Sequence, residues 1–110
     1  MNETTELQSR IDRLTARARA GDHSAAFVRR IEDVLGQGYA QALELDAQRR
    51  RLDREMDQLA PSITDMEALI GLRRVALQAR TFDGRAKELR ARLGELREQF
   101  MALGGTRITH

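Results

Sequence analysis

The sequence predicts an all-α protein: an antiparallel helical hairpin of the coiled-coil kind, with a short N-terminal helix packed at its base. Three observations predict it. Eleven successive heptad positions, Ala68, Leu72, Val75, Ala79, Phe82, Ala86, Leu89, Leu93, Leu96, Phe100 and Leu103, are all apolar, and their alternating spacing of four and three is that of a coiled-coil seam. A second series, Val28, Ile31, Leu35, Gly38, Ala42, Leu45, Arg49, Leu52, Met56 and Leu59, keeps the same rhythm up to Pro61. Finally, the 110 residues carry 33% charged side chains, 4% aromatics and one proline, which suits long amphipathic helices laid side by side rather than a sheet with a thick core.

The elements follow in order. Leu7, Ile11, Leu14 and Ala18 recur at helical spacing and predict a first helix over roughly 3–20 that stops at Gly21. Asp22 or Ser24 can cap a second helix over about 24–60. Pro61 has no N–H to donate and disfavours helical geometry in the residue before it. Thr64 followed by Glu67 fits a capping box. A third helix is therefore predicted from about 63 to 103, closed by Gly104-Gly105, with residues 104–110 as a flexible tail. The organisation expected is a short helix in 1–21, a long hairpin in 22–103 and that tail.

With a tight turn at Pro61, residues whose numbers sum to about 122 should face each other. That pairs Leu59 with Ile63, Met56 with Met66, Leu52 with Ile70 and Leu45 with Leu77, and it sets Gly38 opposite Gly84 as two small residues that let the backbones approach. Phe27, Val34, Tyr39 and Leu43 lie beside the seam of the second helix. The first helix is the expected cover for them, with a second copy of the chain or a partner protein as the alternative.

Composition excludes several classes of chemistry. The chain has no cysteine, so neither disulfides nor thiolates contribute. His23 and His110 sit at unrelated positions, and no ligands recur at metal spacing. Glu3 and Glu6 stand where a signal peptide needs positive charge, and no 18 apolar residues run together. A soluble cytoplasmic protein without a membrane span is expected. Gly36-Gln37-Gly38 falls inside a helical heptad rather than after a strand, and acidic pairs such as Asp53 and Asp57 sit on a solvated helix face. No enzyme motif is present, so a non-catalytic role is expected.

Net charge is +2, with ten basic and eleven acidic residues in 1–60 against nine and six in 61–110. Under the turn at Pro61, Arg49, Arg50, Arg51 and Arg54 form a belt with Arg73 and Arg74. Glu44, Asp46, Asp53, Glu55 and Glu67 flank it, so surface ion pairs compete with an anion-binding role. Within the belt, Glu67, Arg74 and Gln78 stand at i, i+7 and i+11 on one stripe of the third helix, and Glu44, Arg51 and Glu55 form a partial echo on the second. A carboxylate can accept from guanine N–H groups, and an arginine can grip guanine O6 and N7 or a phosphate with two bonds. Glu67, Arg74, Gln78, Glu44 and Arg51 are thus candidate ligands for a guanine nucleotide.

The stretch Glu67 to Phe82 resembles the Glu-x3-Ser-x2-Arg-x3-Gln-x3-Asp signature of the coiled-coil anti-sigma factors that bind cyclic di-GMP. Glu67, Arg74 and Gln78 match, Gly71 replaces the serine and Phe82 the aspartate, with Asp83 one residue late. The resemblance implies a helical hairpin that holds a sigma factor inactive, with cyclic di-GMP as ligand.

The function expected is a cytoplasmic regulator or adaptor that binds a protein partner through its hairpin, as a homo-oligomer or hetero-complex, with the anti-sigma role as its most specific form. The alternative is a small nucleic-acid-associated protein using the basic face of the third helix: Arg73, Arg74, Arg80, Arg85, Lys87, Arg90, Arg92 and Arg97. Asp83, Glu88, Glu95 and Glu98 interrupt that face, in i, i+4 order for Asp83–Lys87 and Glu88–Arg92, and no aromatic platform accompanies it.

Overall fold

Three helices, α1 (Glu3–Arg19), α2 (Ala25–Leu59) and α3 (Met66–Ala102), with a single 3-10 turn over Ala60–Ser62, make up the computed structural model, which describes residues 3–62 and 64–103. These elements account for 92% of the described residues, none of which is in a strand. Helices α2 and α3 pack most closely, and α1 packs against α3. The expected all-α hairpin with its short first helix is therefore the fold. Gly104-Gly105, the tail to His110 and the expected Leu59–Ile63 pair lie outside the described residues.

The helix ends follow from local chemistry. Gly21 takes a φ of 101°, a left-handed conformation that glycine adopts without strain. This lets Gly21 N–H reach the Ala18 carbonyl and Asp22 N–H reach the Arg17 carbonyl, each at 3.1 Å, the paired bonds that terminate a helix. Ser24 caps α2, its hydroxyl accepting from Phe27 N–H at 3.2 Å. At α3 the cap is Asp65, whose carboxylate accepts from Glu67 N–H at 3.1 Å while its carbonyl accepts from Leu69 N–H at 3.0 Å. The expected Thr64–Glu67 capping box is corrected accordingly. A carboxylate one residue later competes better for the free N–H groups of the first turn.

Residues divide into two units. The first holds α1, α2 as far as Ala42 and α3 from Glu88 onward. Its interior is Leu7, Ile11, Leu14 and Ala18 from α1, Phe27, Ile31 and Val34 from α2, and Leu89, Leu93 and Leu96 from α3, all buried. As expected, α1 covers Phe27 and Val34; Tyr39 and Leu43 stay exposed instead. Polar ties edge this interior. Arg92 bridges Asp12 and Glu88, and Arg19 reaches Glu95 at 3.6 Å. The hydrogen bonds to Asp12 and Glu88 favour the charged guanidinium of Arg92 and raise its pKa. Gln41 Nε2 donates to Thr4 Oγ1 at 3.2 Å.

The second unit, Leu43–Lys87, is built from two helices alone. Leu45, Val75, Ala79 and Ala86 are buried, while Leu52, Met56, Leu59, Leu72 and Phe82 are only half-buried. Two helices leave most large side chains partly open, so apart from Leu45 the buried positions are held by the smaller Val75, Ala79 and Ala86.

The helices slide relative to the expected register. Arg49 pairs with Asp83 at 3.8 Å, and a Cβ on Gly71 would lie 3.7 Å from Leu59 Cδ1, so facing residues have numbers summing to about 131 rather than 122. Within the first unit Gly38 faces Leu93 and not Gly84; a Cβ there would overlap the leucine, with Cγ and Cδ1 each at 3.1 Å. Nothing lies within 4 Å of a Cβ on Gly84. Two physical causes account for the slide. The connection runs through the 3-10 turn and Asp65 before α3 begins, so the first turn of α3 overhangs the end of α2. The adopted register also sets large against small, Leu93 on Gly38 and Leu59 on Gly71, and close packing favours that over glycine on glycine. The expected pairs Met56–Met66, Leu52–Ile70 and Leu45–Leu77 are therefore not formed, and Met66, Ile70 and Leu77 face solvent.

Candidate functional site

The first half of α3 is apolar on two opposite faces. At about 100° per residue, Ala68, Leu72, Val75 and Ala79 fall on one face and Met66, Ile70 and Leu77 on the other. The first face is the seam, buried or half-buried along its length. The second is bare: Met66 is 68% exposed, Ile70 60% and Leu77 58%, with Leu69 exposed at its margin. Arg73 lies in line between Ile70 and Leu77. A helix carrying apolar residues on both faces is normally covered on both.

The candidate nucleotide ligands lie on the flank between these faces. Glu67, Arg74 and Gln78 are all exposed on one stripe of α3, as their spacing requires. Glu67 sits in the first turn, with its backbone N–H bound to Asp65. Glu44 and Arg51 are exposed on α2, where the Glu44 carboxylate accepts from Gln48 Nε2 at 3.2 Å. With facing numbers summing to about 131, Arg51 is level with Arg80, just past Gln78, whereas Glu44 is level with Lys87, about 30 Å along α3 from Glu67. Glu67, Arg74 and Gln78 thus share a stripe with each other, Arg51 stands near its far end, and Glu44 does not join them.

The arginine belt is divided by the same slide. Arg49 lies against Asp83, which also holds Lys87 at 3.2 Å, and Arg73 and Arg74 are level with Gln58 and Asp57. Arg49, Arg80, Asp53 and Asp83 line a shallow cleft of about 190 Å³ with Met56, Ala76 and Ala79. Two guanidinium groups and two carboxylates neutralise one another there, so the cleft has little net attraction for an anion. Beside it, the Arg85 guanidinium lies over the Phe82 ring, 5.8 Å from its centroid.

Among the described residues no group of acidic or histidine side chains could hold a metal ion, and no helix is long and apolar enough to cross a membrane. His23 Nδ1 is 2.9 Å from the Gly21 carbonyl oxygen in the α1–α2 turn. The sequence signal for the bare face is the i, i+4, i+11 spacing of Met66, Ile70 and Leu77. It is masked by assigning those residues to the hairpin interior. In comparisons with known proteins, the chain matches no family model, no curated protein and no solved structure.

Proposed function

We propose that this protein is a non-catalytic protein-binding module whose docking face is the outward stripe of α3: Met66, Leu69, Ile70 and Leu77. The observation that carries this proposal is the exposure of three large aliphatic side chains in line on the face opposite a formed seam. Burying them would remove apolar surface from water at about 25 cal/mol per Å². The i, i+4, i+11 spacing suits an apolar helix of a partner lying along α3, and Arg73, Arg74 and Arg80 beside the stripe favour a partner with acidic flanks. A photo-crosslinking residue at position 70, tested in the native cell, should give an adduct with a partner protein. The same probe at Arg97 should give none. Loss of the position-70 adduct in Leu77→Lys would place contact on the stripe; no adduct at 70, or equal adducts at 70 and 97, would reject the proposal. An adduct of two copies of the chain would assign the face to self-association instead.

A narrower form, a hairpin that holds a sigma factor and responds to cyclic di-GMP, is supported by Glu67, Arg74 and Gln78 on one exposed flank beside the stripe. Calorimetry with cyclic di-GMP, using GTP as control, tests it in the presence of the partner. Binding that Arg74→Lys weakens by about 1–3 kcal/mol supports it, since the point charge remains and the two-pronged donor is lost. No heat at about 100 μM ligand rejects it.

A further inference from the structure

A second concave site lies in the first unit, far in sequence from the α3 stripe. Helices α1 and α2 flank a cleft of about 500 Å³ lined by Arg10, Arg13, Arg17 and Arg30 together with Asp33, Gln37, Leu14 and Val34. Its volume falls in the range of small-molecule sites. Its charge is lopsided. Four guanidinium groups line it against one carboxylate, Asp33.

The arginines differ in what already engages them. Arg17 is bound to Asp22 at 2.5 Å and lies over the Phe27 ring, 4.7 Å from its centroid. Arg10 donates to Gln37 Oε1 at 3.3 Å. Arg13 and Arg30 make no hydrogen bond or ion pair with another described residue. The structure therefore keeps Arg17 and Arg10 in place and leaves two unneutralised forks beside them. Arg10, Arg13 and Arg17 stand at i, i+3 and i+7 along one edge of α1, spanning about 10 Å. That is the reach of a chain of phosphates with a sugar rather than of a single small anion. Leu14 and Val34 supply an apolar floor between the basic edges.

The geometry points to a binding site for a phosphorylated small molecule of nucleotide size, its phosphates held by Arg13 and Arg30 with Arg10 in support, and its ring resting on Leu14 and Val34. Paired N–H donors match phosphate oxygens, and the net positive lining requires an anion of more than one charge. Asp33 and Gln37 are the acceptor and mixed donor-acceptor for hydroxyl or amide groups away from the phosphates.

Calorimetry on the full chain with ATP, AMP and inorganic tripolyphosphate tests this. Saturable one-to-one binding of ATP or tripolyphosphate is expected, weakened about tenfold or more in Arg13→Gln/Arg30→Gln. Arg50→Gln/Arg54→Gln, which removes two exposed arginines outside the cleft, should leave it unchanged. Binding tighter for ATP than for tripolyphosphate supports the ring on the apolar floor; equal binding overturns that placement. Asp33→Asn removes the one opposing charge and should tighten binding several-fold, which keeps the test decisive even if the double arginine variant is less helical by circular dichroism. No heat from ATP or tripolyphosphate at about 1 mM overturns the proposal. So does an equal loss in Arg50→Gln/Arg54→Gln, or binding of poly-glutamate alone, which would make the cleft a dock for an acidic protein segment.

Discussion

The three-helix unit and the two-helix unit use the same residue types to different ends. In the former, Ile11, Ile31, Leu89, Leu93 and Leu96 are completely buried, because a third helix closes the space that two leave open. In the latter, only Leu45, Val75, Ala79 and Ala86 are buried and none completely, while Met66, Ile70, Leu77 and Leu43 stand in solvent. An apolar residue therefore says little about burial until its neighbours are counted. The three-helix unit carries the tight core, and the two-helix unit presents apolar surface outward.

The largest expected effect contrasts two leucines on α3. Leu93→Ala empties a fully buried site and should cost roughly 3–5 kcal/mol, whereas Leu72→Ala, half-buried on a two-helix seam, should cost about 1–2 kcal/mol. Chemical denaturation with matched slopes measures both. Equal costs would break the distinction between the units.

Two glycines sharpen it with opposite signs. Gly38→Ala forces Leu93 to move and should destabilise by about 1–3 kcal/mol. Gly84→Ala adds a methyl to open space within a helix and should stabilise by about 0.5–1 kcal/mol. Thermal unfolding of the pair also tests the register, since pairing Gly38 with Gly84 would give both substitutions the same sign.

Smaller again is the cap: Asp65→Ala should cost about 1 kcal/mol, with Thr64→Ala near zero. The smallest effect is electrostatic. The Arg17 guanidinium, bonded to Asp22, holds that exposed carboxyl below its ordinary value. A carboxyl whose pKa is lower folded than unfolded stabilises fully above the unfolded value of about 3.9 and loses that contribution as pH falls through the lowered folded value. A slight stability loss below about pH 4 should therefore be smaller in Asp22→Asn, measured by acid titration of helicity.

Much of the fold was legible in the sequence, for identifiable reasons. All eleven seam positions, ten on α3 and Leu103 just past its end, are buried or half-buried, and Gly21 and Ser24 end and start helices where their chemistry predicts. The slide of about nine residues is about two and a half turns, and the two seams already decide it. Leu45 and Leu52 oppose the α3 seam positions Ala86 and Ala79 when numbers sum to about 131, whereas a sum of about 122 sets them against Leu77 and Ile70, which lie off that seam. The expected pairs followed from centring a tight turn on Pro61 rather than from matching the seams; the fit of Leu93 into Gly38 and of Leu59 against Gly71 accompanies the seam-matched register. The nucleotide constellation inherited the error. Glu67, Arg74 and Gln78 needed only the helical repeat to be grouped, whereas Glu44 and Arg51 needed the register. The α1–α2 cleft was hidden differently, since Arg10, Arg13 and Arg17 read as ordinary surface charge until Arg30 is brought across from α2.

The central claim is that α3 carries a formed seam on one face and a bare apolar face, the proposed docking face, on the other. It is tested most directly by thermal unfolding of Ile70→Lys/Leu77→Lys beside Leu89→Lys. The double variant should unfold within about 0.5 kcal/mol of the parent, as surface substitutions do, while Leu89→Lys, which buries a charge, should lose several kcal/mol or fail to fold. A loss in Ile70→Lys/Leu77→Lys comparable to that in Leu89→Lys would show that Ile70 and Leu77 belong to the folded interior, and would contradict the account.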